Sequence, residues 1–374
     1  MKKFKILGCL SLMLVLCISV QSKSIEKKPV IQMAILLDTS GSMSGLIEQA
    51  KSQLWRVVNE FINTKKGGLI PEFEVALYEY GKSSLPSQEG FIRQIVPLTT
   101  DLDKISEELF ALTTNGGSEF CGWVINNAVN DLEWSESNDA LKVIFIAGNE
   151  PFTQGIVDYQ ESCKNAITKG IIVNTIFCGD HAQGISTKWK DGSLLADGAY
   201  MNIDHNLKVP HIEAPQDAEI AKLGQELNST YIPYGNEGVK GKKRQSAEDK
   251  NAEYVAAETY VQRQVAKSSS FYTNEKWDLV DAVYKDSVKV EEMKEEELPE
   301  VMKDMNNVER TAYIKEQSEK RESIQEKIKI LNEERKQYIT QKKKDLIENS
   351  ENTLDEAVVK IVREQAIQEN YVFN

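Results

Sequence analysis

Two kinds of hydrophobic pattern alternate between residue 32 and about residue 235. Short apolar runs rich in β-branched residues are separated by segments whose apolar residues recur every three or four positions. Strands that alternate with helices form parallel sheets, so the pattern predicts an α/β fold with a doubly wound, mostly parallel six-stranded sheet. The strands predicted from these runs are 31–37, 73–79, 91–98, 141–147, 171–177 and 229–233.

One of these runs differs from the others. The segment 91–98 mixes Arg93 and Gln94 into its apolar positions and follows closely on the strand before it. Continuous apolar runs are typical of central parallel strands that are covered on both faces, whereas mixed runs are typical of strands with one solvated face. The segment 91–98 is therefore predicted to be an antiparallel edge strand.

Helical spacing is clearest directly after the first strand, where the apolar residues fall on one face: Leu46, Ala50, Leu54, Val57 and Phe61. Further helices are predicted at 102–112, 120–132, 157–169 and 217–227. The segment 180–215 is long for a connection in such a fold and contains all three histidines, His181, His205 and His211. A zinc site that combined them with Cys178 would lack compact ligand spacing and is not favoured.

The composition changes after residue 235. Segment 236–250 is polar and rich in glycine and lysine, which predicts a linker, and residues 251–374 are predicted to be α-helical. From about 308 to 347, one heptad-like seam runs through Ile314, Gln317, Arg321, Ile324, Ile328, Leu331, Arg335 and Tyr338. Its polar members leave two interpretations open, a coiled coil that forms a homo-oligomer or a long solvated helix packed on one side. A last helix near 354–362 is expected to pack on this long helix.

The first 22 residues have the pattern of a signal peptide that is cleaved near Ser22. Their apolar centre, 6–20, is shorter than the roughly 20 residues of a spanning helix, so we expect no integral membrane span after cleavage and an exported, periplasmic or secreted, protein. Cleavage removes three lysines and no acidic residue, which moves the formal charge from −13 to −16. Such an acidic chain is not expected to bind nucleic acid.

Three cysteines follow the signal segment: Cys121, Cys163 and Cys178. Export permits one disulfide and one remaining thiol, and the topology suggests the pair Cys121–Cys178 at the carboxyl edge of the sheet. Three buried thiols are the other interpretation.

The segment 38–42, with the sequence DTSGS, joins the first predicted strand to the first helix. Asp38, Ser40 and Ser42 place one carboxylate and two hydroxyls at alternate positions. Oxygen ligands of this kind suit a hard cation such as Mg²⁺, and the carboxyl ends of strands are where open α/β sheets bind ligands. The alternative is that the serines only cap the first amides of the helix.

With these residues in this context, the chain resembles the von Willebrand factor type A domain family over about 29–235. The resemblance implies a metal-ion-dependent adhesion site in which Asp38, Ser40 and Ser42 are ligands. A second loop of that site usually adds a threonine after paired glycines, and here Ser118 follows Gly116 and Gly117 and offers the equivalent hydroxyl.

The third loop departs from the family pattern. The family aspartate falls on Gly148, and the next residues, Asn149 and Glu150, are predicted to supply oxygen to the cation directly or through water. Glu119 is another carboxylate near the site, although it also suits the N-terminus of the following helix without any metal.

Known catalytic motifs are missing from the sequence. It has no G-x-S-x-G elbow, no dinucleotide fingerprint and no H-E-x-x-H motif, so we do not expect an enzyme. The predicted function is an exported protein-binding protein whose cation, Mg²⁺ or alternatively Mn²⁺ or Ca²⁺, binds an Asp or Glu of a protein partner. The alternative is a structural envelope scaffold with a degenerate metal site, whose helical tail mediates assembly.

Overall fold

A computed structural model describes residues 28–61, 64–204, 206, 212–346 and 354–373. The predicted signal segment, His205 and His211 lie outside these residues. Within the described ranges, no helix combines the length and the apolar character needed to cross a membrane.

Eight strands and twelve α-helices make up the described chain. The strands are β1 (Val30–Asp38), β2 (Thr64–Lys65), β3 (Glu72–Tyr80), β4 (Ile92–Thr99), β5 (Leu141–Gly148), β6 (Ile172–Cys178), β7 (Tyr200–Ile203) and β8 (Val372–Phe373). The helices are α1 (Ser44–Phe61), α2 (Leu102–Ala111), α3 (Cys121–Asp131), α4 (Tyr159–Thr168), α5 (His181–Ser186), α6 (Trp189–Leu194), α7 (Asp217–Asn228), α8 (Gly235–Val255), α9 (Ala257–Lys267), α10 (Leu279–Tyr284), α11 (Asn307–Leu346) and α12 (Leu354–Gln368).

The central sheet has six strands in the order β4-β3-β1-β5-β6-β7. All neighbours are parallel except β4, which runs antiparallel to β3 at one edge. The predicted fold class, a mostly parallel six-stranded sheet followed by a helical region, is confirmed, and so is the antiparallel edge strand. β1 and β5 occupy the centre, as their continuous apolar runs predict.

The predicted sixth strand, 229–233, was wrong. The sixth strand is β7, which lies inside the long segment 180–215 and pairs with β6. Residues 229–233 instead turn toward the C-terminal helices, where the Ile232 amide donates a hydrogen bond to Oδ1 of Asp278 at 2.6 Å. The Tyr231 ring packs on Trp277 at 5.8 Å between ring centroids, so these apolar side chains are buried against helices rather than in the sheet.

Both faces of the sheet are covered by helices. One face carries α3 and α4, and the other carries α1, α2 and the last helix, α12. Asn174 of β6 and Gln365 of α12 exchange two buried hydrogen bonds of 3.0 and 2.7 Å between their side-chain amides. The apolar face of α12 was expected to pack on the long helix, but it packs on α1 and the sheet because its residues Val358 and Val362 complete that core.

The segment 236–250 is helical instead of an extended linker, because it lies within α8. Its glycines permit close packing, since a Cβ placed on Gly241 would lie 2.2 Å from Cγ of Trp277. Its acidic residue Asp249 accepts a 2.6 Å hydrogen bond from the fully buried Arg263 of α9, which also donates to Asp103 of α2 at 2.7 Å. The domain boundaries at 235 and 251 stay predictions.

The long helix α11 packs along one side against its own chain. Ile314, Ile324 and Ile328 of the seam are buried. The seam residue Arg321 donates to Asp278 and Asp281 at 2.8 and 2.7 Å and lies over the Tyr231 ring, while Arg335 donates to Asp217 at 2.6 Å. The two arginines of the seam therefore form buried ion pairs within the chain, which favours the packed helix over the coiled coil.

Candidate metal centre

The first loop of the site follows β1 directly. Asp38 ends the strand and is completely buried, Ser40 is buried and Ser42 is exposed. The Ser40 amide donates to Oδ1 of Asp38 at 2.7 Å, and the Ser40 and Ser42 hydroxyl oxygens lie 3.3 Å apart. Ser40 makes no side-chain cap to the helical turn that follows, Gly41–Met43. The structure therefore brings together the three residues of the motif, and the hydroxyl of Ser40 does not have the capping role that was its alternative.

The second loop is attached to the first by backbone hydrogen bonds. Gly41 N donates to Gly116 O at 2.7 Å, and Asn115 N donates to Thr39 O at 3.1 Å. Ser118 lies half-buried on this loop. Among the described residues, no hydrogen bond joins its hydroxyl to the three residues of the first loop, so its role as a metal ligand stays a prediction.

The side chain of Glu119, which follows Ser118, enters the space between the two loops. A Cβ placed on Gly117 would lie 1.9 Å from Oε1 of Glu119 and 2.8 Å from Cβ of Ser40. A Cβ placed on Gly81 would lie 2.9 Å both from Oδ1 of Asp38 and from Cγ of Glu119. Glu119 is only 7% exposed, so its carboxylate is a buried neighbour of Asp38 and Ser40.

The third loop reaches the first through Asn149. Its Nδ2 donates to the Ser42 hydroxyl at 3.2 Å, and its buried Oδ1 has no hydrogen-bond partner among the described residues. The Glu150 carboxylate accepts from Nε2 of Gln154 at 3.2 Å, and Oε1 of Gln154 accepts from the Glu119 amide at 3.3 Å. Asn149 thus contacts the first loop directly, whereas Glu150 is linked to the second loop through Gln154.

Tyr80 fills the place of a third-loop side chain. A Cβ placed on Gly148 would lie 2.5 Å from the Tyr80 hydroxyl and 3.1 Å from Oδ2 of Asp38. The Tyr80 hydroxyl donates to Ala147 O at 3.0 Å. The sequence reasoning did not find Tyr80, although its position at the carboxyl end of β3, opposite Asp38 of β1, was an available signal.

Three carboxylates influence one another in this site. The pKa of Asp38 is raised to about 7, mainly by burial and in smaller part by the charges of Glu119 and Glu150, while hydrogen bonds from Ser40 oppose the rise. Burial also raises the pKa of Glu119, and the charge of Glu150 adds to that effect. Oδ2 of Asp38 is buried without a hydrogen-bond partner among the described residues. A buried carboxylate oxygen without a partner is costly, and a cation would satisfy it.

The donor set consists of oxygen atoms from carboxylates and hydroxyls with one amide, which fits Mg²⁺, Mn²⁺ or Ca²⁺ better than a softer metal. The described residues contain no group of three or more His, Cys, Asp or Glu side chains arranged to hold a metal. Hydroxyls and water would therefore have to complete the coordination. Nδ1 of His181 lies 3.0 Å from Oδ1 of Asn202, outside this site.

The three cysteines of the described chain are buried free thiols. The suggested Cys121–Cys178 disulfide was therefore wrong. The thiol of Cys121 contacts the Tyr80 hydroxyl at 3.9 Å instead, and burial raises the pKa of both thiols well above the usual range.

Among solved structures, the chain is similar to the conserved hypothetical protein BatB from Bacteroides thetaiotaomicron, with 17% identity over 46% of this chain and 90% of that one and a TM-score of 0.36. It is also similar to proximal thread matrix protein 1 from the mussel byssus with a zinc-occupied MIDAS motif, with 12% identity, 47% and 42% coverage and a TM-score of 0.36. A third similar structure is the pilus adhesin SpaC from Lactobacillus rhamnosus GG, with 15% identity, 48% and 28% coverage and a TM-score of 0.33. The chain spans less than half of the latter two.

No curated protein matches the sequence. The family model of the von Willebrand factor type A domain matches residues 32–184, which include all three loops of the site. This part of the chain is therefore a von Willebrand factor type A domain.

Proposed function

We propose that this protein is a non-catalytic binding protein whose type A domain engages a protein partner through a divalent cation. The observation that carries the proposal is the buried Oδ2 of Asp38, which has no hydrogen-bond partner among the described residues. The other oxygen of this carboxylate, Oδ1, accepts from the amide of Ser40, and the hydroxyls of Ser40 and Ser42 lie 3.3 Å apart. Asp38, Ser40 and Ser42 would hold the ion. When bound, the ion supplies a positive centre to which an oxygen atom of the partner can coordinate.

Asp38, Ser42 and Asn149 would each have a separate role at the ion. Asp38 supplies negative charge from a rigid, buried strand end. Asn149 orients the exposed hydroxyl of Ser42 through its 3.2 Å hydrogen bond. Because Ser42 is exposed while Asp38 is buried, an ion between them would have one side toward solvent and toward a partner.

The chemical nature of the partner's group follows from charge. The sequence argument for an Asp or Glu of the partner assumed one carboxylate close to the ion. The structure adds Glu119, and Glu150 raises the pKa of both other carboxyls, so more negative charge surrounds the site than was assumed. A partner carboxylate would have to overcome this local repulsion, and we extend the proposal to any partner oxygen ligand.

Mg²⁺ is the proposed ion because it keeps several waters and needs few protein ligands. Mn²⁺ and Ca²⁺ are the alternatives.

Export of the mature chain is part of the proposal and rests on the signal pattern in 1–22. We assign α11 to internal packing rather than to a homo-oligomer, since its seam residues Arg321 and Arg335 form ion pairs within the chain.

The competing function is a scaffold whose helices mediate assembly and whose metal site is degenerate. Capture of a partner by the immobilised chain 23–374 separates the two. A partner retained with Mg²⁺, released by a chelator and not retained by Asp38→Asn supports the metal-dependent function.

The matched control is Asp139→Asn, which removes the same charge from a side chain that is 86% exposed and precedes β5. This variant is expected to retain the partner. Retention that is unaffected by the chelator would support the scaffold instead.

A further inference from the structure

We propose that Glu119 is the second carboxylate ligand of the cation, and that Tyr80 excludes a carboxylate at position 148 of the third loop. The inference rests on the proposed function, since it assumes that a cation binds at Asp38. It assigns a role to two residues that the motif of the first loop does not include.

The position of Glu119 is the first step. Oε1 of Glu119 lies against Gly117 and close to Cβ of Ser40. A Cβ placed on Gly81 would lie 2.9 Å from Cγ of Glu119 and also 2.9 Å from Oδ1 of Asp38. A side chain at position 81 or 117 would displace this carboxylate. The two glycines therefore leave open the space through which Glu119 approaches the first loop.

The alternative role of Glu119 is to stabilise the N-terminus of α3. The residue after Glu119, Phe120, occupies the N-cap of α3 and makes no side-chain cap. The Glu119 amide donates to Oε1 of Gln154 at 3.3 Å, and the Ser40 side chain lies close enough to the Glu119 carboxylate to oppose the rise in its pKa that burial causes. The Glu119 carboxylate therefore lies near Ser40 of the first loop.

Tyr80 provides the second step. Its hydroxyl lies 2.5 Å from where a Cβ of residue 148 would be, and Tyr80 is completely buried and tied to Ala147 O. A carboxylate on residue 148 would collide with this hydroxyl. A tyrosine hydroxyl is neutral near pH 7, so it adds no charge there. The third loop thus supplies no charged ligand at position 148.

The charge of the ion connects the roles of Glu119 and Tyr80. Because residue 148 carries no carboxylate, Asp38 alone would offset only one of the two positive charges of the ion. Glu119 is the buried carboxylate already directed at the same loop, and it would offset the other charge. Glu150 is held by Gln154 and adds its charge from outside.

Direct measurement of Mg²⁺ and Mn²⁺ affinity by calorimetry tests the role of Glu119. Loss of one ligand is expected to weaken binding about 10- to 100-fold in Glu119→Gln, by analogy with changes around other metal sites. Glu161→Gln, which removes an exposed carboxylate of α4, is the control and should bind within about twofold of the unmodified chain. Circular dichroism in chelator verifies that both variants fold.

A rescue experiment tests the role of Tyr80. In the Glu119→Gln background, Gly148→Asp alone should not restore affinity because the Tyr80 hydroxyl blocks the new side chain. Adding Tyr80→Phe opens that space, and the triple variant should regain about tenfold or more of the lost affinity.

A second measurement of the role of Tyr80 does not depend on metal. Gly148→Ala should lower the melting temperature in chelator by less in a Tyr80→Phe background than in the unmodified chain.

The outcomes separate this inference from the proposed function. Equal affinity of Glu119→Gln and the unmodified chain would overturn the role of Glu119 and leave the metal-dependent function intact. A melting temperature that falls equally in both Tyr80 backgrounds would overturn the role of Tyr80. If the unmodified chain takes up no metal, both the function and this inference are wrong.

Discussion

Asp38 and Tyr80 stand opposite each other at the carboxyl ends of the parallel strands β1 and β3. Both lie close to the Cβ position of Gly148, at 3.1 Å for Oδ2 of Asp38 and 2.5 Å for the Tyr80 hydroxyl. This pairing means that any side chain larger than that of glycine at position 148 would collide with the Tyr80 hydroxyl. It also leaves a buried carboxylate that needs a counter-charge, and the first predictions concern that carboxylate.

Metal-free stability should fall as the pH rises from about 4 to about 7. The folded protein holds a proton on Asp38 more tightly than the unfolded chain, because its pKa is raised from 3.8 to about 7. The contribution of Asp38 is therefore most favourable below the unfolded pKa and is lost as the pH rises through the folded one. Chemical denaturation in chelator at several pH values measures this change.

Asp38→Asn should remove the part of this pH dependence that comes from Asp38. Asparagine keeps an oxygen for the Ser40 amide and carries no charge, so the variant should be about 1 to 3 kcal/mol more stable than the unmodified chain at pH 8 in chelator. Asp139→Asn is the control and should leave the curve unchanged. If Asp38→Asn were less stable at pH 8, the carboxylate would already have a partner.

Metal affinity should have the opposite dependence on pH. A proton and a cation compete for the Asp38 carboxylate, so Mg²⁺ binding should weaken about tenfold per pH unit as the pH falls below about 7. Calorimetric titrations at pH 8, 7 and 6 measure the trend. Affinity that does not change over this range would mean that Asp38 is not a ligand.

The last helix should be essential for the stability of the type A domain. Ile361 of α12 is 1% exposed and belongs to the core of the sheet, so Ile361→Ala should cost about 2 to 5 kcal/mol of unfolding free energy. Ile367→Ala in the same helix is the matched control, because that side chain is 57% exposed. Similar losses in both variants would show that α12 does not complete this core.

The buried arginine of α11 should stabilise the helical region. Arg321→Met removes the partner of Asp278 and Asp281 and leaves their charges buried, which should cost about 3 to 5 kcal/mol. Lys315→Met, at an exposed position of the same helix, should change stability by less than about 1 kcal/mol.

The unmodified chain should have the mass of a monomer in solution, and a stable dimer would contradict internal packing of the seam.

Continuous apolar runs made the centre of the fold predictable. β1 and β5 are buried on both faces, and their sequences contain little else than apolar residues. The strand at 229–233 could not be excluded in the same way, because Tyr231 and Ile232 are equally apolar but pack on Trp277 and Asp278 in the helical region. Short apolar runs do not reveal which surface will cover them.

The candidate site was predictable where residues are close in sequence. Asp38, Ser40 and Ser42 are adjacent in the chain and the structure keeps them together. Tyr80 and Glu119 enter the same site from other elements, and only the packed loops determine that the Glu119 side chain approaches Ser40. Likewise, Arg321 and Arg335 looked unfavourable on a heptad seam until their aspartate partners on distant elements were known.

Calorimetric titration of the chain 23–374 with Mg²⁺ at pH 8, beside Asp38→Asn and the control Asp139→Asn, tests the central claim most directly. We predict saturable binding of one ion by the unmodified chain and by Asp139→Asn, and its loss in Asp38→Asn. Binding of equal strength in all three proteins, or no binding by the unmodified chain, would contradict a metal centre at Asp38.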